Sequence, residues 1–226
     1  MKCDLHIHTR YSFDSSSAPE AVIDTALKRG INCLAITDHS QVKGVMVAQE
    51  YARGKPIVII PGIEIKSRAG DILGLNIKEI IPDGLSAQET VKRIKKSGGM
   101  AIIPHPFGFM SSFKRGILID LIPEIDGIEV LNGALFRKNN EKALRFAQKH
   151  NLAFTAGSDA HTTKSVGGVY IEIPGEDLTV EEILVAIREK RGKVEGQEHG
   201  LGEKIIEYLK MLVAKLRPSN FPNFRL

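Results

Sequence analysis

Cysteine is scarce in this chain. Cys3 and Cys33 are the only two, both sit inside apolar, strand-like runs, and neither belongs to a CxxC pair. Buried reduced thiols are the favoured reading, and a cytoplasmic location follows from it. Long apolar runs are also missing. The longest are short and broken by Pro, Gly or charge, so no segment is expected to span a bilayer and a membrane partner is excluded. The opening MKCDLHIH has no apolar signal region, and its ionisable residues begin too early for a cleaved leader. There is no Walker loop and no GxGxxG; Gly98 and Gly99 end a helix before a strand. No repeat, low-complexity tract or domain-sized linker divides the chain. Excess charge is small as well. The net charge is +4, but residues 201–226 hold five Lys/Arg against two Glu, a local +3, which leaves about +1 for the first 200. A near-neutral core argues against a nucleic-acid-binding surface, and a basic tail is most often a solvated helix face.

What is present is an ordinary globular composition, 42% apolar and 26% charged, arranged as a recurring unit: an apolar strand, a loop with ionisable residues, then an amphipathic helix. Strands are expected over 2–8, 32–37, 57–65, 71–77 (hairpin-like), 100–103, 127–131, 153–156, 169–173 and near Val194. Helices are expected from Pro19 to Arg29, stopped by Gly30, and over 42–53, 86–96, 137–150 and 179–190. Ser86-Ala-Gln-Glu89 reads as a capping box. Strands alternating with helices imply parallel β-α units, and the continuous apolar strands suit a sheet covered on both faces. A single domain over 1–200 is expected, followed by a helix and tail over 201–226. The helix at 202–216, with Ile205, Ile206, Leu209, Leu212, Val213 and Leu216 on one side, would pack on that domain. A homo-oligomer contact is its second reading and a membrane surface a distant third.

The ionisable residues are not scattered. His6 and His8 lie two apart on one face of the first strand; alone, that pair divides between a metal site and chance. Six apolar runs, however, end in potential ligands: His6/His8, Asp38/His39, Glu64, His105, Glu129 and Asp159/His161. In a β-α barrel these ends share one rim. Five of seven histidines fall there; His150 and His199 look like solvent residues. A polynuclear metal site is the reading that accounts for this distribution.

LHIHTRYSFDS, AITDHS, IPGIEI, IPHP and AGSDAH, in that order over roughly 1–175, resemble the motifs of the PHP (polymerase and histidinol phosphatase) family. The resemblance implies a distorted seven-stranded TIM-like (β/α) barrel binding two or three Mn, Zn or Fe ions. Carried over, one ion would take His6, His8, Glu64 and Asp159, and a second Asp14, His39 and His161. A third would share Glu64 and add His105. The chain departs from the pattern at Gly70-Asp71-Ile-Leu-Gly74, where many relatives have a histidine; Asp71 either ligates, favouring Mn²⁺ or Mg²⁺, or is a turn residue. Asp38 and Glu129 are expected to orient ligands rather than bind metal.

The implied reaction is phosphoester hydrolysis by a metal-bound hydroxide. His161, His39 or Asp159 would manage the proton, with no Ser or Cys nucleophile. Arg10, Lys66, Arg137, Lys138 and Asn132 are candidate contacts to phosphate, each weighed against a plain surface role. A nucleotide or a short oligonucleotide end is the expected substrate. Histidinol phosphate is the alternative within the same chemistry, and a non-catalytic scaffold or RNA-binding subunit the alternative outside it.

Overall fold

The computed structural model describes residues 1–108, 113, 115–200, 202, 204 and 205. In chain order they form β1 (Lys2–Ile7), α1 (Pro19–Lys28), β2 (Cys33–Ile36), α2 (Lys43–Tyr51), β3 (Val58–Lys66), β4 (Asp71–Leu75), α3 (Ala87–Lys96) and β5 (Met100–Ile103). Then come α4 (Arg115–Leu121), β6 (Gly127–Asn132), α5 (Arg137–Lys149), β7 (Ala153–Gly157), β8 (Val169–Glu172), α6 (Val180–Arg188) and β9 (Lys193–Gly196).

Local chemistry sets most boundaries. Pro19 occupies the first turn of α1, where its missing N–H costs nothing, and Gly30 beyond its end is left-handed, at φ 71°. Ser86 caps α3 through Glu89 N–H at 3.2 Å, but Glu89 turns its carboxylate to Arg93, so only half of the expected box forms. A full box, Thr179 with Glu182, opens α6. Helix α4 had no counterpart among the expected elements.

The nine strands form one sheet in the order β7-β6-β5-β4-β3-β2-β1-β8-β9. Four neighbouring pairs are parallel (β1/β2, β2/β3, β5/β6, β6/β7) and four antiparallel (β1/β8, β3/β4, β4/β5, β8/β9). The expected seven-stranded TIM-like barrel is therefore corrected: the architecture is α/β with a nearly closed, mixed sheet of nine strands. A tight turn at 67–70 sends β4 back along β3, β8 returns antiparallel beside β1, and β9 adds antiparallel to β8 at the edge. The sheet curls until the end of β7 meets β1, where Asp159 N–H donates to His6 O at 2.8 Å and His8 N–H to Ala160 O at 3.0 Å.

Three apolar clusters follow from this curl. Leu5, Ala35, Ile60, Leu73, Ile102, Ala156 and the α6 residues Ile183 and Ile187 share one, so many strands converge inside the sheet. Ile7 belongs to another with Val22, Ile23 and Val45 of α1 and α2, behind its strand, as the alternation around the two histidines anticipates. A third lies under α3, α4 and α5. Among the described residues no helix is long and apolar enough to cross a membrane. Most of the helix expected at 202–216 lies outside the described residues.

Candidate metal centre at the mouth of the sheet

The C-terminal ends of β1, β2, β3, β5 and β7 place His6, His8, His39, Glu64, His105, Asp159 and His161 together, and Asp14 joins them from the loop after β1. Backbone strain marks two of these positions: His105 has φ 31° and Asp159 φ 54°, left-handed values that cost about 1–3 kcal/mol outside glycine and tend to collect at functional sites.

The geometry resolves into overlapping donor sets. His8, Asp14, His39 and His161 form one, His6, Glu64 and His105 a second, and His6, His8 and Asp159 a third. His6 Nε2 lies 3.1 Å from His8 Nε2. Glu64 Oε2 is 3.3 Å from His6 Nε2 and 3.2 Å from His8 Nε2, and Asp159 Oδ1 is 3.5 and 3.3 Å from the same two atoms. Ligands about 2.1 Å from a common ion stand about 3.0 Å apart in an octahedron and about 3.4 Å in a tetrahedron, so these spacings fit the edges of a coordination polyhedron. Asp14 Oδ2 is 3.3 Å from His39 Nε2 and 3.2 Å from His161 Nε2. Asp14 Oδ1 is buried without a hydrogen-bond partner, an anionic lone pair that an ion would satisfy. Glu64 Oε1 is 3.1 Å from His105 Nε2.

The distal ring nitrogens are held from behind. His6 Nδ1 lies 3.2 Å from Glu129 Oε1, His8 Nδ1 3.0 Å from Ser12 Oγ, and His161 Nδ1 2.9 Å from the Asp159 carbonyl. Such contacts leave Nε2 facing the centre. Glu129 Oε2 accepts His105 N–H at 2.9 Å and Asn132 Nδ2 at 2.8 Å. Asp38 spends both oxygens on Thr9, at 2.5 and 2.7 Å. Glu129 thus contacts two candidate ligands, His6 and His105, whereas Asp38 holds Thr9.

Charge balance follows from proximity. Burial pulls the pKa of His105 and His161 down, yet Glu64 beside the first and Asp14 beside the second raise both to about 9. His6 is lifted against its burial by Asp159, Glu129 and Glu64. Burial opposes ionisation of Glu64 and Asp159, but the imidazoles hold both well below the carboxylate range. The protein alone offsets its clustered carboxylates with protons on the imidazoles, which a divalent ion would have to displace to bind.

Other expected residues sit differently. Asp71, at the start of β4, joins none of the three sets; burial first, and then the Glu64 charge, raises its pKa. Asn132 is fully buried, and its amide donates to Glu129 Oε2 and, at 3.2 Å, to Asp159 Oδ2, so it positions carboxylates instead of facing substrate. Arg10 is exposed and 3.8 Å from Glu20; Arg137 is exposed and bonded to Glu141. Lys66 is exposed two residues beyond Glu64 on β3, and Lys138 is exposed on α5. His199 is not a solvent residue: it is buried against Gly133, whose carbonyl accepts its N–H at 2.8 Å. His150 packs on Phe146. Two supports escaped the sequence reading. Ser12 Oγ also accepts His39 N–H at 2.8 Å. Buried Asp4 accepts N–H bonds from Ser158 and Gly167, both 2.8 Å, tying down the loop that carries Asp159 and His161.

Comparison with known proteins identifies a family and a shared fold. The PHP domain profile matches residues 4–158, and the PHP-associated profile residues 137–191. An uncharacterised protein of Methanocaldococcus jannaschii is 38% identical over 142 residues, covering 58% of this chain and 82% of that protein. A 5'-3' exoribonuclease of Haemophilus influenzae is 30% identical over 105 residues, 45% of this chain and 38% of its own. A crystal structure from Bacteroides vulgatus, of a two-domain protein containing a predicted PHP-like metal-dependent phosphoesterase, superposes with a TM-score of 0.75 at 20% identity. It covers 93% of this chain and 69% of that one, and shares the fold.

Proposed function

The chain belongs to the PHP domain family, and on that premise we propose that it is a metal-dependent phosphoesterase acting on a small phosphorylated substrate, a nucleotide or an oligonucleotide end. The observation that carries this reading is the convergence of five imidazoles and three carboxylates on one mouth at ligand-edge spacings. His6, His8, Glu64 and Asp159 would hold one ion, and Asp14, His39 and His161, with His8 beside them, a second. Glu64 and His105 would take part in a third, with Asp71 standing near it. Mixed nitrogen and oxygen donors suit Mn²⁺, Zn²⁺ or Fe²⁺.

When bound, such ions supply Lewis acidity: they acidify water and neutralise phosphoryl charge. The side chains do the rest. His39, His161 and Asp159 are the groups proposed to hold or pass a proton, each at an atom that no ion occupies. Glu129 and Asn132 fix His6 and Asp159. Arg10 and Lys66 are the exposed rim cations proposed to meet substrate oxygens, with Arg137 further out on α5. The similarity to an exoribonuclease supports a nucleotide-type substrate, though it spans less than half of either chain.

The test is metal content of the purified protein, paired with turnover of nucleoside 5'-monophosphates, a 5'-phosphorylated short RNA and histidinol phosphate in Mn²⁺. About two or three equivalents of metal with nucleotide or RNA turnover is the expected result. Turnover confined to histidinol phosphate would transfer the assignment to that reaction. Protein that binds no metal and stays inert after reconstitution would leave a non-catalytic scaffold.

A further inference from the structure

Two aromatic side chains are among the large apolar groups exposed in the described residues, Phe13 at 52% and Phe136 at 53%. Lys204 Nζ sits 4.6 Å from the Phe136 ring centroid. Phe13 stands instead at the candidate metal centre. Its ring lies nearly parallel to that of His39, 26° between planes and 5.0 Å between centroids, and the next residue in the chain is Asp14.

The loop presenting Phe13 is fixed from both sides. Ser12 N–H donates to Thr9 O at 2.9 Å and Arg10 N–H to Ser17 O at 2.8 Å. Ser12 Oγ bridges His8 and His39, and Ser15 Oγ donates to His8 O at 3.0 Å and His161 O at 3.1 Å. A ring held this firmly and left open to water has little entropy to lose when a planar group stacks on it. It carries no donor or acceptor, so it can select for a flat π-face but not for one base over another.

Resting on the phosphoesterase reading above, we propose that Phe13 is a specificity-determining residue that stacks on the nucleobase of the substrate while the phosphate lies over the Asp14/His39/His161 donors. The His39 imidazole backs the ring on the metal side, which sets the base as the outermost layer of a three-ring stack. Nucleotides are then preferred over sugar phosphates carrying the same phosphoester, with little discrimination among bases.

The experiment is calorimetric titration, in Mn²⁺, of the non-hydrolysable methylenephosphonate analogues of AMP and of ribose 5-phosphate into wild type, Phe13→Leu and Phe13→Tyr. Wild type binds the AMP analogue about 5- to 150-fold more tightly, the range that stacking one base provides. Phe13→Leu, which keeps an apolar cover over His39, brings the two analogues within about threefold with metal content unchanged, and Phe13→Tyr retains the gap. Equal affinities in wild type, no binding of either analogue, or a Leu variant that weakens both alike or loses metal would each overturn the proposal. Discrimination by wild type, lost in Phe13→Leu, without hydrolysis of any nucleoside monophosphate, of the 5'-phosphorylated RNA or of histidinol phosphate would keep the stacking role and overturn the phosphoesterase reading.

Discussion

His6 and His8 bring their Nε2 atoms to 3.1 Å inside a fully buried pocket, and both atoms also face Glu64 Oε2 and Asp159 Oδ1. Two ring nitrogens at that distance are held together by a shared proton or by a common cation. The surrounding carboxylates favour either positive charge.

Glu64 contacts His6, His8, His39 and His105, more imidazoles than Asp14 or Asp159 reaches. Glu64→Gln keeps the shape and removes the charge. The expected outcome is loss of at least about one metal equivalent and at least about a 100-fold fall in activity. His105→Ala should lose less metal. Elemental analysis after dialysis decides this, and equal retention in both variants would contradict the shared role of Glu64.

Glu129 touches no ion in this assignment, yet it supports His6 Nδ1, His105 N–H and Asn132 Nδ2. Glu129→Gln places an amide N–H against one of those donors. Metal affinity should weaken about 10- to 100-fold in a protein whose circular dichroism is unchanged. Competition with a chromophoric chelator measures it, and an unchanged affinity would make Glu129 a passive neighbour.

The pH dependence should reverse sign with metal. His105 and His161 titrate near 9 in the folded protein without ions and at about 6.5 unfolded. Their stabilisation is therefore complete below about 6.5 and is lost as pH rises through about 9. Metal requires neutral imidazole, so its contribution grows over the same window. Chelator-treated protein should lose at least about 3 °C in Tm between pH 6.5 and 9, while the increment in Tm from Mn²⁺ increases. A Tm gap that stays flat across the window would refute the linkage.

Gly157 lets β7 close on β1. A Cβ there would meet His6 Cβ at 2.4 Å and His6 N at 2.8 Å, and the backbone cannot move aside. Gly157→Ala should cost about 1–3 kcal/mol in urea unfolding and lower metal content by displacing His6. A variant of native stability and full metal content would show that the seam is slack.

Much of the centre was legible because strand-end ligands announce themselves: an apolar run that stops at a His or an acid is a local pattern, and the fold only had to bring the ends together. Residues that act across long separations were not legible. Asp4 reaches Ser158, 154 positions away, and Ser12 reaches His39 from an ordinary loop. Asn132 was read as a substrate contact because it follows a strand, but its position between Glu129 and Asp159 depends on the register of β6 against β7. His199 looked solvated because nothing local shows that a glycine, Gly133, leaves room for it. The nine strand-like runs were all visible; the count of seven came from the resemblance. Helix α4 was missed because its short apolar segment carries no capping signal.

The sheet closes where Asp159 N–H bonds to His6 O and His8 N–H to Ala160 O, so the first strand meets its last partner through the residues that carry the candidate ligands. The consequence is one of timing. During synthesis His6 and His8 emerge some 150 positions ahead of their companions Asp159 and His161, and contacts of such separation form late in folding. The histidine pair therefore stays without these companions until the seam forms, and a site that uses all four would be complete only then. An ion held by all four would tie the two sides of the seam together.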